Sequence, residues 1–411
     1  MCQHPAMQRD PRLQLGPVLE VSSAHLVNDL LTLGIVPSLL PMFKAAHGLT
    51  YAQTGLILFC CYLTTSVLQP VFGVLTDHRS QAWMLPASVL LTGAGLVGAG
   101  FATSFAGLLA CVCVSGLGSG AFHPEAARCA YLAAGDARAT SQAIFQFGGN
   151  IGQALGPLLV PLFLIGTGLH GLVWFLIPTA LATTLCGHLI PWYHRHARAE
   201  HARRAVLPGE NNVGGMCVLM TVTMLRSWTS VGVVVFLPFF YMNVWHLPLG
   251  RSLLYSFCFV CAGAIGTLLG GLVSDRVGYK RLLIGSLATA GPFLWFLPQA
   301  RGVVAVVILV LLGLILYAPF SASVVFSQLL LPRRIGLASG LNIGFAIGAG
   351  GLAAALLGAA ADRFGIEPVF HAMFVMPILG ALVATLLPSD QALMRRLNVR
   401  TPVPGERTVV P

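Results

Sequence analysis

Long apolar runs separated by short polar breaks make up most of the chain between residues 18 and 390. Nearly every stretch of about 20 residues in this region is apolar enough to cross a bilayer as an α-helix. Glycine, proline and charged residues punctuate the runs. They predict twelve spans, near 19–43, 52–76, 82–102, 105–133, 140–166, 170–191, 214–242, 252–274, 281–300, 303–331, 335–360 and 367–388. The pattern therefore predicts an all-α polytopic membrane protein.

The longest polar interval divides the pattern into two sets of six spans, so we expect two pseudo-symmetric six-helix bundles. The predicted divisions are an N-terminal tail (1–18), a first bundle (19–191), a central loop (192–213), a second bundle (214–388) and a C-terminal tail (389–411). An internal repeat supports this division, because GVLTDHR at Gly73–Arg79 and GLVSDRV at Gly271–Val277 stand 198 residues apart. A duplicated six-helix unit is typical of transporters that rock two bundles around a site near the membrane midplane.

The distribution of charge predicts the orientation of the chain. Its formal net charge is +10, yet charged residues make up only 9% of it, against about 25% in soluble proteins. The basic residues lie in short loops and not along one face with interleaved aromatic residues, so we expect no nucleic-acid partner. Of the 23 Lys and Arg residues, 17 lie on the side of the tails and central loop, and four lie opposite. Because basic loops stay in the cytoplasm, we expect both termini and the central loop of this multi-pass protein there.

The ten cysteines are scattered, and most fall within predicted spans. Cys258 and Cys261 have CxxC spacing but no second pair nearby, which favours packing as small apolar side chains. We expect no disulfide framework and no metal site. The first apolar segment contains Asn28 and Asp29 and no recognisable cleavage site, which indicates a retained first span and not a signal peptide.

Related charged motifs follow the second span of each half, GVLTDHRSQAW in the first and GLVSDRVGYKR (Gly271–Arg281) in the second. A glycine permits close helix approach, and an aspartate that caps helix amides or pairs with arginine suits a latch that opens when the bundles rock. The candidate conformational latch residues are Gly73, Asp77, Arg79, Gly271, Asp275, Arg276, Lys280 and Arg281. A third stretch, GAAADRFG at Gly358–Gly365, has a similar composition on the opposite side, and we interpret it as a turn.

The fifth predicted span carries GGNIGQALGP, from Gly148 to Pro157. Gly148, Gly152 and Gly156 recur at four-residue spacing, which places them on one face where another helix can pack closely. Pro157 adds a bend. Two interpretations remain open for this helix-packing motif: a glycine face of the kind found in drug/proton exchangers, or ordinary packing of small residues.

Four segments together resemble the fosmidomycin-resistance branch of the major facilitator superfamily: AHLVNDLL, LQPVFGVLTD, GSGAFHPEAAR and QAIFQFGGNIGQALGPL. The resemblance covers nearly the whole chain and is sharpest from Ala24 to Pro157. The charged loop motif of the second half is similar to the motif that follows the second helix of each half in this superfamily, and the first copy is eroded. The resemblance implies a major facilitator fold and a proton-driven drug exporter of the bacterial inner membrane. We expect it to act as a monomer, with the proton gradient as energy source and no cofactor.

Ionisable residues at membrane depth are functional candidates, because an unpaired charge there costs several kcal/mol. The first span carries His25 and Asp29 on one helix face, and the fourth carries His123, Glu125 and Arg128. We expect proton coupling from this set, with Asp29 and Glu125 exchanging the proton, Arg128 tuning its neighbour and the histidines assisting. The alternative is a static ion-pair network that holds the first and fourth spans together.

The candidate substrate cavity residues are Asn28, Gln142, Gln146, Asn150, Arg226 and Asn342. Arg226 has two open interpretations: it binds an anionic substrate, or it pairs with a carboxylate of the first half. The polar amides either line the cavity or form hydrogen bonds between helices.

These features favour a secondary active transporter that exports a drug or a small anionic antimicrobial, similar to fosmidomycin, in exchange for protons. The alternative within the same class is a proton-coupled importer or exporter of a small metabolite. A membrane-embedded enzyme is disfavoured, because the 13 acidic residues are thinly spread and no phosphate-binding glycine loop with its lysine occurs.

Overall fold

The computed structural model describes residues 12–78, 81–135, 138–200 and 210–396, and within these ranges it contains helices and no strand. The helices are α1 (Leu15–His47), α2 (Tyr51–His78), α3 (Met84–Ala99), α4 (Phe105–Leu132), α5 (Arg138–Leu164), α6 (Leu176–Glu200), α7 (Val213–Asn243), α8 (Leu249–Val277), α9 (Tyr279–Phe296), α10 (Gly302–Leu330), α11 (Ile335–Phe364), α12 (Ile366–Ala384) and the short α13 (Asp390–Arg396). A 3₁₀ segment, Gly168–Phe175, leads into α6.

Eleven of these elements are long and apolar enough to cross a membrane, and α3 is a shorter apolar helix of 16 residues. The predicted all-α fold with two pseudo-symmetric six-helix bundles is confirmed. The 198-residue offset of the internal repeat also relates the first residues of several helical elements. Starts that lie 198 residues apart are Leu15 and Val213, Tyr51 and Leu249, and Gly168 and Ile366.

The two bundles meet along two helix pairs, α2 with α11 and α5 with α8. Glycines make the first pair close. A Cβ atom on Gly55 would lie 2.2 Å from the carbonyl oxygen of Ala354, and one on Gly358 would lie 2.4 Å from that of Tyr51. Only a hydrogen fits at these positions, so the small residues set the distance between the halves.

We call the face that carries the start of α1 and the end of α12 the terminal face, and the face opposite it the distal face. On the distal face, Asp362 near the end of α11 caps the start of α2. The backbone N–H groups of Tyr51 and Ala52 donate to its two carboxylate oxygens, at 2.7 and 2.8 Å. Asn243 of α7 donates to the hydroxyl of Tyr51 at 2.7 Å. A carboxylate is favoured at a helix N-terminus, so these contacts hold the halves together at this face.

The interpretation of GAAADRFG as a turn is wrong. Gly358 to Phe364 continue α11, which ends at Gly365 with a φ of +87°. Gly358 serves the close approach to α2 and not a turn conformation, and the aspartate of the motif is Asp362.

The helix α1 is not a regular α-helix throughout. Residues Leu30–Ile35, directly after Asp29, form a π-helical segment. Within and beside it, the hydroxyls of Thr32 and Ser38 donate to the carbonyls of Asn28 and Gly34, at 2.9 and 2.7 Å. Such segments occur frequently at functional sites.

Candidate functional site

A buried cluster of one carboxylate and two imidazoles lies near the middle of α1. His25 precedes Asp29 by one turn, and its Nε2 lies 3.1 Å from Asp29 Oδ2. His123 reaches the same carboxylate from α4, with its Nε2 3.3 Å from Asp29 Oδ1. The exposed fraction of the side chain is 1% for His25, 7% for Asp29 and 17% for His123. The structure thus brings together three of the five residues predicted for proton coupling, and His123 is the most open of them.

Backbone carbonyls determine which ring nitrogen of each histidine carries a hydrogen. Nδ1 of His25 lies 2.8 Å from the Phe145 oxygen, and Nδ1 of His123 lies 2.7 Å from the Ser119 oxygen. A carbonyl oxygen only accepts, so each Nδ1 is the donor, and the Nε2 of a neutral ring presents a lone pair to Asp29. These lone pairs repel the carboxylate unless a proton lies between them. The geometry therefore fits a site that holds one or two protons.

The carboxylate is held in place by a polar network among three helices. Asn28 Nδ2 donates to Asp29 Oδ1 at 3.1 Å and to the Ser119 hydroxyl on α4 at 3.0 Å. The Thr92 hydroxyl of α3 donates to Asn28 Oδ1 at 3.3 Å. Asn28, which we predicted to line a substrate cavity, is completely buried, and its amide orients the carboxylate.

The glycine motif of α5 forms the wall of this cluster. A Cβ atom on Gly149 would lie 2.5 Å from the His25 ring and 2.7 Å from Asp29 Oδ2. The predicted glycines face α1: Cβ atoms on Gly148, Gly152 and Gly156 would meet its backbone at 2.0–2.4 Å. The motif therefore brings the α5 backbone against α1, and Gly149 leaves room for the imidazole and the carboxylate. Pro157 lies inside α5, one residue beyond the last of these glycines.

Glu125 lies in a second buried cluster, two residues beyond His123. The hydroxyl of Tyr193 on α6 donates to Glu125 Oε2, and the backbone N–H of Gln81 donates to Oε1 at 3.2 Å. Arg128 is half-buried and close enough to Tyr193 to act on it electrostatically. The two buried carboxylates thus have separate partners, imidazoles for Asp29 and a tyrosine for Glu125.

Among the described residues of the second half, one Asp, Glu, Lys or Arg side chain is buried. Arg226 of α7 is only 3% exposed, and its Nε has no hydrogen-bond partner. Its guanidinium carbon lies 5.6 Å from the centre of the Phe320 ring. Tyr317, near the middle of α10, is close enough to the guanidinium of Arg226 to interact with it electrostatically.

The remaining amides predicted for the cavity have different environments. Asn342 is buried and joins helices, accepting from the Thr223 hydroxyl at 3.1 Å and donating to the Ser323 hydroxyl at 3.0 Å. Gln142 Nε2 donates to the Ala127 carbonyl at 3.1 Å. Gln146 and Asn150 are half-buried, and Asn150 Nδ2 is a buried donor without a partner.

The cluster around Asp29 also contains ligand types that metal ions accept. His25, Asp29 and His123 form the one group of His, Cys, Asp and Glu among the described residues whose donor atoms all lie within 4.8 Å of one another. A proton shared between imidazole and carboxylate would account equally for both contacts.

The sequence profile of the Major Facilitator Superfamily matches residues 21–343. The chain belongs to this superfamily. It is 38% identical over 392 residues to YfnC, an uncharacterized MFS-type transporter of Bacillus subtilis (strain 168), a match that covers 93% of this chain and 95% of that protein. It is also 35% identical over 380 residues to the fosmidomycin resistance protein of Escherichia coli (strain K12), covering 91% of this chain and 93% of that protein.

The fold agrees with this membership in the Major Facilitator Superfamily. The chain superimposes with a TM-score of 0.74 on a bacterial homologue of the human lysosomal transporter Spinster in an inward-facing and occupied conformation. The match covers 95% of this chain and 100% of that one, at 16% identity, and at this level it shows the fold alone. The molecule is thus a multi-pass membrane transporter and not an enzyme.

The charged loop motifs of the superfamily lie at the terminal face. Lys280 at the start of α9 donates through its Nζ to the carbonyls of Thr385 and Leu387, at 2.7 and 2.6 Å. It thereby ties α9 to the end of α12 within the second half. Arg276 and Arg281 are exposed, and Gly271 has open space around it. Gly73, Asp77 and Asp275 lie in helices, but their side chains, like Arg79 as a whole, lie outside the described residues.

Sequence reasoning missed Tyr193, Gly149 and Tyr317. Nothing in the local sequence marks Tyr193, because it reaches Glu125 from 68 residues away. Gly149 stands inside a motif that we recognised only for its four-residue spacing. Tyr317 could have been found from the internal repeat, since it stands 198 residues after Ser119.

Proposed function

We propose that the chain is a proton-coupled exporter that exchanges protons for a small anionic antimicrobial of the fosmidomycin type. The similarity to the fosmidomycin resistance protein supports the substrate class. The observation that carries the proton coupling is the cluster in which two imidazole Nε2 atoms face one buried carboxylate. Such a cluster changes its charge by one or two units when it takes up protons, and it does so inside the molecule.

The arrangement suggests a path for the proton. Asp29 receives it while the halves are open to the distal side, and this charge change favours closure. With the distal face closed, His123 is the exposed edge of the cluster and passes the proton on. Glu125, two residues nearer the terminal end of α4, is the next acceptor, with Tyr193 and Arg128 as its neighbours. Tyr62 of α2, on which Asp29 acts electrostatically, is a further titratable group beside the cluster.

This mechanism places the terminal face in the cytoplasm, in keeping with the excess of basic residues on that side. It needs no cofactor besides the proton gradient across the bacterial inner membrane, and a single chain contains both halves of the machinery. Protons that enter from the distal side drive the exchanged substrate in the opposite direction, out of the cytoplasm.

Reconstituted protein tests the proposal, with fosmidomycin as the probe and an imposed pH gradient across the liposome membrane. We expect Asp29→Asn to abolish fosmidomycin-dependent proton movement, since the amide cannot exchange a proton. We expect Glu125→Gln to reduce it by about 100-fold, the low end of the usual contribution of a proton-transfer group.

A matched control is available on the same helix. Glu20 of α1 also pairs with a histidine, His188, at 2.9 Å, but that histidine side chain is 79% exposed. Glu20→Gln should keep the wild-type rate. Full proton-driven transport by both Asp29→Asn and Glu125→Gln would refute the proposal, and transport in which the drug follows the protons inward would replace export by import.

A further inference from the structure

Arg226 is a buried cation without a countercharge. No carboxylate of the described residues lies within ion-pair distance of it, and the ion pairs found in those residues all involve histidine. The two buried first-half carboxylates are already engaged, Asp29 by two imidazoles and Asn28, and Glu125 by Tyr193 and Gln81. Buried charges in proteins are ordinarily paired, so the interior of the second half lacks one negative charge.

The internal repeat explains where this position comes from. At the offset of 198 residues, Asn28 corresponds to Arg226 and Ser119 corresponds to Tyr317. In the first half, Asn28 donates to Ser119 at 3.0 Å. In the second half, the equivalent pair is a guanidinium beside a phenol. The residue equivalent to Asp29 is Ser227, whose hydroxyl donates to the Ala346 carbonyl. At these equivalent positions the first half thus has a carboxylate and the second half has none.

We propose that Arg226 and Tyr317 form the site that binds the anionic group of the transported molecule. This inference rests on the proposed export function and names the chemistry of its substrate. The ligand carries a carboxylate, a phosphonate or a similar oxyanion, which a guanidinium binds through two parallel hydrogen bonds. The Phe320 ring, 5.6 Å from the guanidinium carbon, contacts the apolar part of the ligand. A cationic drug finds no countercharge here and is rejected.

The site also includes a contact from the first half. Ser230 of α7 and Gln153 of α5 lie close enough to the Tyr317 hydroxyl to interact with it. Gln153 lies one turn beyond Gly149, the residue that abuts the Asp29 cluster. Because Arg226 is nearly covered in the distally closed molecule, an anion reaches it when α5 and α10 separate. Binding of the anion and movement of the proton cluster therefore act on the same helix.

Thermal unfolding and direct binding on purified protein test the inference, with fosmidomycin and simple carboxylates as probes. Arg226→Gln should raise the melting temperature of the ligand-free protein, because it removes an unpaired buried charge. If Arg226 belonged to a structural ion pair, the same substitution would lower the melting temperature. The same variant should weaken fosmidomycin binding by about 10- to 100-fold, the range for hydrogen bonds to a charged group. Arg226→Lys should restore part of the affinity, and Tyr317→Phe should lose several-fold.

Arg301 offers a matched control, since it is exposed in the same half and stacks over Trp245 at 5.3 Å. Arg301→Gln should bind like the wild type. Undiminished binding by Arg226→Gln overturns the inference, as does a wild-type protein that binds none of the anions or prefers a cationic dye. Anion binding that depends on Arg226 but is not accompanied by proton movement would instead refute the proposed coupling and leave this site intact.

Discussion

Asp29 contacts both imidazoles and accepts from Asn28, so its protonation state determines the charge of the whole cluster. With no added proton the cluster carries one negative charge, and with one added proton it is neutral. A second proton leaves it positive, which is unfavourable in an interior without another countercharge. The residue-scale chemistry therefore favours movement of a single proton, with the two histidines as alternative holders.

Gly149→Ala tests how tightly this cluster is built. The added methyl group would lie 2.5 Å from His25 and 2.7 Å from Asp29, so the imidazole or the carboxylate must move. We expect a loss of fosmidomycin-dependent proton movement of about tenfold or more, because positioning errors near 1 Å can cost about 100-fold. Liposome assays at equal protein content measure this loss.

Gly187→Ala on α6 is the matched control, because a Cβ atom there meets nothing within 4 Å. It should leave transport unchanged. Equal activity of the two alanine variants would show that the Asp29 cluster tolerates displacement and is not a precise proton site.

Among the elements, α2 and α11 form the joint on which closure of the distal face depends. Their glycines allow backbone contact between the two helices. At the distal end of this contact, Asp362 accepts two hydrogen bonds from the start of α2. On the α5–α8 side of the same face, a Cβ atom on Gly250 would lie 3.5 Å from Ile165 and 3.8 Å from Pro161, so apolar side chains pack there. One side of the closure thus depends on charge, and the other on packing.

Asp362→Ala should shift the molecule toward states open at the distal face. Loss of a helix cap costs about 0.5–2 kcal/mol, which corresponds to a change in population of roughly two- to thirtyfold. Distance measurements between spin labels on the distal loops of the two halves detect the change. Glu367→Ala removes an exposed carboxylate on the same face and should have no effect. An unchanged distance distribution in Asp362→Ala would show that packing alone closes this face.

The sequence predicted the elements of the fold far better than their contacts. The twelve spans follow from apolar length, and the two halves follow from the repeat, because both are properties of continuous segments. The meeting of His123 with Asp29 depends on how α4 is rotated against α1, which local pattern does not encode. GAAADRFG was misinterpreted for a related reason. Its first glycine, Gly358, is required by the close approach of α2 from the other half, and not by the conformation of its own backbone.

For the whole molecule, the two halves share one construction and differ in the charged side chains that they bury, which are Asp29 and Glu125 in the first half and Arg226 in the second. The first half holds its carboxylates with proton carriers, and the second holds a lone guanidinium at the equivalent depth. In the proposed mechanism, the buried carboxylates of the first half bind the proton, and the buried guanidinium of the second half binds the anion. The division of labour follows from substitutions at a few equivalent positions, while the helix framework is shared.

A reversible cross-link between the halves tests whether they must separate on the distal face. A Cβ atom on Gly250 would lie 3.8 Å from the Cβ of Pro161, so cysteines at these two positions fall within disulfide reach. In a background without the native cysteines, oxidation of the Pro161→Cys, Gly250→Cys pair should stop transport, and a reducing agent should restore it. The single-cysteine variants should stay active under oxidation, and transport by the cross-linked protein would contradict alternating access at this face.

The π-helical segment at Leu30–Ile35 has a consequence for protein engineering. A π-turn accommodates an extra residue, and each residue of a regular helix turns the chain by about 100°. Deleting one residue between 30 and 35 would therefore regularise α1 while keeping its two ends helical. The part of α1 that ends at Asp29 would then be rotated by about 100° relative to the part in which Gly34 packs against Gly156. Either the carboxylate would leave the histidines, or α1 would leave the glycine face of α5. Libraries that shorten or idealise this helix will thus yield folded but uncoupled proteins.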